Sequence, residues 1–177
     1  MYDIKDILLR VFAYWERIST IWKIIDVLLC CLVAIIQFRS YKRKRIQLPQ
    51  FIGSILLAGY VFLVFSSTIL SRPLMEIRKI DLSFLKNLLF NLNHTIDSQI
   101  ETVLNSVLLL PVGVLLTLCV TKIKWWQVFM CGFLMSFSIE IIQYVTKRGT
   151  FELTDLIENS IGALLGYMIC RFIKKYY

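Results

Sequence analysis

Histidine is almost absent from this chain: His94 is the only one among 177 residues. A single imidazole, in Asn-Leu-Asn-His-Thr with no thiol at its level, points away from a histidine-based metal site. The five cysteines, Cys30, Cys31, Cys119, Cys131 and Cys170, all fall inside apolar stretches. They have neither the spacing of a zinc site nor the loop positions of a disulfide framework, and read as small buried hydrophobes. No metal and no cofactor is expected. No cleavable leader is expected in the first residues either. Residues 1–20 carry Asp3, Lys5, Asp6, Arg10, Glu16 and Arg17 and no continuous apolar core. Acidic residues are few, 12 against 20 Lys and Arg, for a net charge of +8. The basic residues sit at the ends of apolar runs rather than on one face of a folded domain. That placement excludes nucleic acid as a partner and fits headgroup anchoring.

What is abundant is apolar sequence. Hydrophobic residues make up 58% of the chain and mean hydropathy is +0.69. A soluble domain of this length needs a polar surface that such a composition cannot supply. The expected fold is all-α: a polytopic transmembrane bundle of about five spans, with an N-terminal amphipathic helix. Spans are expected near 22–38, 51–71, 103–121, 125–145 and 156–172. Each is close to the ~20 residues that cross ~30 Å of hydrocarbon. Over residues 1–20, Ile4, Ile7, Leu8, Val11, Phe12, Trp15 and Ile18 share one helical face. This segment either lies in the membrane interface or packs on the bundle end. The organisation is therefore 1–20 interfacial helix, 21–71 two spans with a basic loop, 72–102 a polar loop, and 103–177 a three-span core.

Orientation follows from short, dense basic loops, which stay cytoplasmic. Arg39-Ser-Tyr-Lys-Arg-Lys-Arg45, the Lys122-Ile-Lys124 link and the tail with Arg171, Lys174 and Lys175 mark one side. They place the C-terminus inside, the 72–102 and 146–155 loops outside, and, with five spans, the N-terminus outside. Trp125 and Trp126 form an interfacial anchor pair.

Polar groups inside spans are costly, so each calls for an explanation. Ser136, Glu140 and Gln143 are spaced i, i+4, i+7 and share a face, which should point into the bundle. Glu140 is the leading functional candidate, with a structural tether as the alternative. In the fifth span Asp155, Asn159, Gly162 and Gly166 form a second stripe. Gly162-xxx-Gly166 permits a close helix approach. Asp155-Leu-Ile-Glu158 also has the form of a capping box, which would make Asp155 an N-cap. Asn159 lies deeper, as a site residue or an interhelical hydrogen bond. In the third span Asn105 follows Glu101 by one turn, and Pro111, with Gly113 close behind, removes a backbone donor and is expected to kink the helix. By topology, Arg72, Asn105, Glu140, Arg148, Glu152, Asp155 and Asn159 all fall at the outer level of the membrane. Opposite charges at a shared depth offset one another's desolvation, so a polar pocket at the outer leaflet is expected.

The stretches Asn105–Gly113, Gly132–Gln143 and Arg148–Gly166 resemble the VanZ-like family of bacterial membrane proteins. Ile80-Asp-Leu-Ser-Phe84 is loosely similar to the family's Asn-Leu-Ile-Pro-Phe segment, with Asp81 for asparagine and no proline. Glu152-Leu-Thr154-Asp155 stands where the family often has Asp-Ile-Asp-Asp. The resemblance implies a bacterial, Gram-positive cytoplasmic membrane. It also implies a link to susceptibility to glycopeptides such as teicoplanin, whose lipid tail sits in the membrane. Two functions remain open. In one, the pocket binds a membrane lipid, a lipid-linked cell-wall precursor or a lipoglycopeptide antibiotic. In the other, it is an enzyme site for a lipid-linked envelope substrate: Glu140 would act as general acid or base and Asp155 as a second carboxylate. Arg72 and Arg148 would grip an anion, and Asn105, Gln143, Glu152 and Asn159 would orient the substrate. No nucleophile motif decides between them.

Overall fold

The computed structural model describes residues 18–70, 72–81 and 96–176. The amphipathic helix expected over residues 1–20 lies almost wholly outside the described residues, as do His94 and the Leu82–Phe84 part of the loop motif. Among the described residues five helices dominate: α1 (Thr20–Lys42), α2 (Leu48–Phe65), α3 (Ile96–Cys119), α4 (Trp125–Thr146) and α5 (Leu153–Tyr176). The all-α polytopic reading holds. Among the described residues four stretches, Thr20–Lys42, Leu48–Leu70, Trp125–Thr146 and Leu153–Lys175, are long and apolar enough to cross a membrane. The apolar part of α3, Val103–Cys119, is shorter.

The element ends have local causes. The Gln47 backbone N–H donates to Gln50 Oε1 (2.8 Å), closing a capping box at the start of α2, with a proline in the first turn. The Lys124 N–H donates to Gln127 Oε1 at the start of α4 (2.8 Å). That helix ends at Lys147, which takes a left-handed conformation (φ 57°). The α2 helix runs on into a π-helical turn, Ser66–Leu70. Here the Ser66 and Thr68 hydroxyls fold back onto the Phe62 and Val64 carbonyls, both at 2.7 Å.

Helix α5 packs along α3 and against α4, α2 packs on α3, and α1 packs on α2. The core is Val64, Ile69, Leu109, Val112, Val128, Ile139 and Ala163. No residue of α1 is buried. The α3–α5 contact is set by small residues. A Cβ on Gly162 would overlap the Ser106 carbonyl, one on Gly166 the Leu110 carbonyl, and one on Gly113 the Ala163 carbonyl. Backbones that touch this closely tolerate only hydrogen at those positions. Pro111 lies inside α3 without interrupting it. One turn of the chain near it gains an outside donor, since Tyr60 Oη donates to the Leu108 carbonyl (2.9 Å).

The two ends of the bundle are distinct. At one, Tyr41 stacks on Phe51, Gln50 Nε2 donates to the Cys119 carbonyl (3.2 Å) and Lys174 Nζ to the Thr117 carbonyl (2.8 Å). These contacts gather Arg39–Arg45, Lys122, Lys124 and Arg171–Lys175 at a single basic end. At the other end the segment after α2 folds over α4. The Met75 N–H donates to the Lys147 carbonyl (2.7 Å), and a short parallel pair forms between β1 (Lys79–Asp81) and β2 (Thr150–Glu152). That pair was not expected in the 72–102 loop. The cysteines also differ from expectation. All five are free, but Cys31 and Cys131 are exposed on the protein surface and only Cys170 is buried.

Candidate functional site

The α4 face carrying Ser136, Glu140 and Gln143 turns into the bundle, with all three side chains at most 2% exposed. Glu140 Oε2 accepts the Glu152 N–H at 2.8 Å. Strand β2 thus delivers a backbone donor to a carboxylate that has left water, and the β1–β2 pairing helps fix that donor. The carboxylate also lies in the field of the Arg72 guanidinium, which attracts it, and of the Glu152 carboxylate, which repels it. Gln143 Nε2 donates to the Thr68 carbonyl of the π turn (3.0 Å). Its Oε1 faces Gly149, where an added Cβ would stand 2.9 Å from Gln143 Oε1 and 3.0 Å from Arg72 Nη1. Gly149 therefore leaves the room that the Gln143 amide and the guanidinium of Arg72, exposed at the rim, occupy on either side of it.

A second polar group lies between α3, α4 and α5. Asn105 Nδ2 donates to Asp155 Oδ1 (2.8 Å) and to Glu158 Oε2 (3.1 Å). One amide bridges two carboxylates, a use of both its hydrogens. Ser136 Oγ donates to the Asp155 carbonyl (3.2 Å) and accepts from Asn159 Nδ2 (2.9 Å). Asn159 Oδ1 is buried and has no hydrogen-bond partner among the described residues. Ser136 belongs to both groups, because Glu140 follows it by one turn on α4. The two groups are one polar seam at the end of the bundle away from the basic loops.

The structure thus joins Asn105 to Asp155, and Asn159 to Ser136, while Glu140 and Gln143 converge with Arg72 and the Glu152 backbone. Arg148 is used differently from the anion grip expected of it. Its Nη1 donates to the Arg72 carbonyl (2.6 Å) and to the Leu70 carbonyl (3.3 Å). It satisfies the end of the π turn and holds the backbone that carries Arg72. The capping-box reading of Asp155 is corrected as well. Helix α5 begins at Leu153, so Asp155 lies within its first turn, where a carboxylate is favoured by the helix dipole. Glu158 is the residue that sequence reasoning missed as a site member; only 8% exposed, it shares the Asn105 amide. Its spacing of three from Asp155 was the available signal, and the same spacing spells a capping box. Gly149 and Thr68 gave no signal. Among the described residues, no three His, Cys, Asp or Glu side chains are grouped as a metal ion would require.

The model of the VanZ/LLP1 family matches residues 26–174. The chain belongs to that family. A curated relative, Protein VanZ of Enterococcus faecium, is 29% identical over 76 residues, 43% of this chain and 47% of that protein. The chain thus matches about half the length of this relative. No solved structure matches.

Proposed function

We propose that this VanZ/LLP1-family protein binds the headgroup of an envelope lipid or lipid-linked cell-wall precursor at the polar end of its bundle. That binding would lower susceptibility to lipid-tailed glycopeptides such as teicoplanin. The observation that carries the reading is the pairing of a buried, pre-ordered acceptor row with an exposed cation. Glu140 and Gln143 are locked by Glu152 and Thr68, while Arg72 stands at the rim beside them. A guanidinium so placed suits a phosphate or carboxylate arriving from the bilayer surface. The buried amides and hydroxyl behind it can read polar groups of a sugar or peptide. On the positive-inside expectation this end faces the outer leaflet, where lipid-linked wall precursors are used.

A second reading is supported by Glu140 itself. A membrane-buried carboxylate held by one backbone N–H can take up and return a proton, so a lipid-modifying reaction with Glu140 as acid or base is chemically feasible. Susceptibility testing distinguishes the two. Cells producing equal membrane amounts of wild type, Arg72→Gln and Glu140→Gln are compared for growth in teicoplanin and in a tail-less glycopeptide. Binding predicts protection that is selective for the tailed drug, lost in Arg72→Gln and retained in Glu140→Gln. Catalysis predicts loss in both. Protection unchanged in both variants removes this site from the function.

A further inference from the structure

The C-terminal turns of α5 carry a groove, at the basic end, that none of the polar-end chemistry uses. It has a volume of about 510 Å3 and is lined by Tyr167, Met168, Arg171, Phe172, Lys174 and Lys175. We propose that it is a binding site for an anionic glycerophospholipid from the leaflet beside it.

The lining changes character along the helix. Tyr167, Met168 and Phe172 form an apolar wall, and Met168 and Phe172 are 52% and 64% exposed among the described residues. Arg171, Lys174 and Lys175 bring three cations within the next two turns. At 1.5 Å per residue, Met168 and Lys175 stand about 10 Å apart along the axis. That is on the order of the step from the first acyl carbons of a lipid to its phosphate. A ligand that is apolar at one end and anionic at the other therefore fits in one orientation only.

Arg171 and Lys174 can each donate to such a ligand. Arg171 makes no hydrogen bond or ion pair with the described residues, which leaves its planar donor fork free for a phosphodiester. Lys174 is held in place by its bond to the Thr117 carbonyl, at the negative end of α3. An ammonium has three donors, so two remain for a headgroup. The surroundings carry one sign of charge. Residues 39–50, 120–127 and 167–177 hold ten Lys and Arg and no Asp or Glu. A zwitterionic headgroup gains little from that field, because its own cation is repelled. An anionic one gains from every nearby Lys and Arg. Tyr167 packs against the core cluster, so the apolar wall is anchored to the bundle and the groove has a defined shape.

The test uses the full chain, purified in neutral detergent, with native mass spectrometry reading lipid retention. Dioleoylphosphatidylglycerol and dioleoylphosphatidylcholine are added in equal amounts. The proposal expects selective retention of the phosphatidylglycerol. It expects about a tenfold loss of that retention in Arg171→Gln/Lys175→Gln. No such loss is expected in the control Arg43→Gln/Arg45→Gln, which removes the same charge from the α1–α2 loop. Millimolar inorganic phosphate should not displace the lipid, because it lacks an acyl chain for Met168 and Phe172. Equal retention of the two lipids overturns the proposal. So does an equal loss in the two double variants, which would assign the effect to the general field of that end, and so does displacement by phosphate alone. Size exclusion of each variant as wild type ensures that a retention change reports the groove.

Discussion

The two ends of this bundle handle polarity in opposite ways. At the basic end ten Lys and Arg stand with no acid among them, and their side chains are largely exposed. At the polar end Ser136, Glu140, Gln143, Glu158 and Asn159 are buried and hydrogen-bonded into a seam. Exposed charge is cheap, and its position is loosely specified: any Lys or Arg near the headgroups serves to anchor and orient. A polar group inside the bundle is costly, and nearly every one needs a defined partner. The difference predicts that substitutions should grow more damaging from the basic end toward the seam and its supporting helix contact.

The largest effect belongs to that helix contact. Gly162→Leu forces a side chain into the Ser106 backbone, where neither helix can give way. The expected loss is about 3 kcal/mol or more, read as low membrane abundance and a reduced melting temperature in detergent. Wild-type stability in this variant would show that α3 and α5 do not pack as described. Next comes Asn105→Leu, which keeps the side chain's approximate size but strips both Asp155 and Glu158 of a shared donor. Hydrogen bonds to charged acceptors place this near 2–3 kcal/mol. Loss of less than half a kcal/mol would mean that the carboxylates are neutral or solvated. In that case the seam resembles the basic end more than the comparison allows.

A smaller stability effect is expected for Glu140→Gln. The amide oxygen can still accept the Glu152 N–H, and a neutral group costs less to bury than a charged one. Stability should therefore stay within about 1 kcal/mol of wild type. Destabilisation comparable to Gly162→Leu would identify Glu140 as a tether between α4 and β2. With stability preserved, the drug-susceptibility comparison reads function alone.

The same contrast explains what the sequence disclosed. The spans were legible as apolar runs, and the Ser136–Glu140–Gln143 row as helical spacing, because both signals are local and repeat with a fixed period. The β1–β2 pair was not legible. Strands of three residues joined across about seventy positions of chain carry no periodic signal. Cys31 and Cys131 read as buried but face outward, because a lipid-facing surface is as apolar as a core and hydropathy cannot separate the two. Arg148 looked like a ligand-gripping cation. Its use depends on where the Leu70 and Arg72 carbonyls end up, which only the π turn decides. Glu158 stayed hidden because one spacing serves both a capping box and a pair of carboxylates on one side of a helix.

The smallest expected effect sharpens the comparison most, because it separates where an end lies from how stable it is. Arg43→Gln/Arg45→Gln removes two exposed charges from the α1–α2 loop. Stability should change by no more than about 0.5 kcal/mol. The position of that loop across the membrane is a separate quantity, and it can be read with thiols. In a chain freed of its five cysteines, Ser40→Cys, at a half-buried position, marks the basic end, and Leu74→Cys, at an exposed one, the polar end. An impermeant maleimide added to intact cells should label Leu74→Cys and leave Ser40→Cys unmodified until the cells are opened. Removing two of the ten basic charges should leave that pattern in place, since Arg39, Lys42 and Lys44 remain beside the loop and orientation follows the summed bias. The reverse pattern would place Arg72 and Glu140 on the cytoplasmic side. A lipid-linked precursor displayed on the outer leaflet could then not reach them, and the proposed role against tailed glycopeptides would fall even with the seam intact.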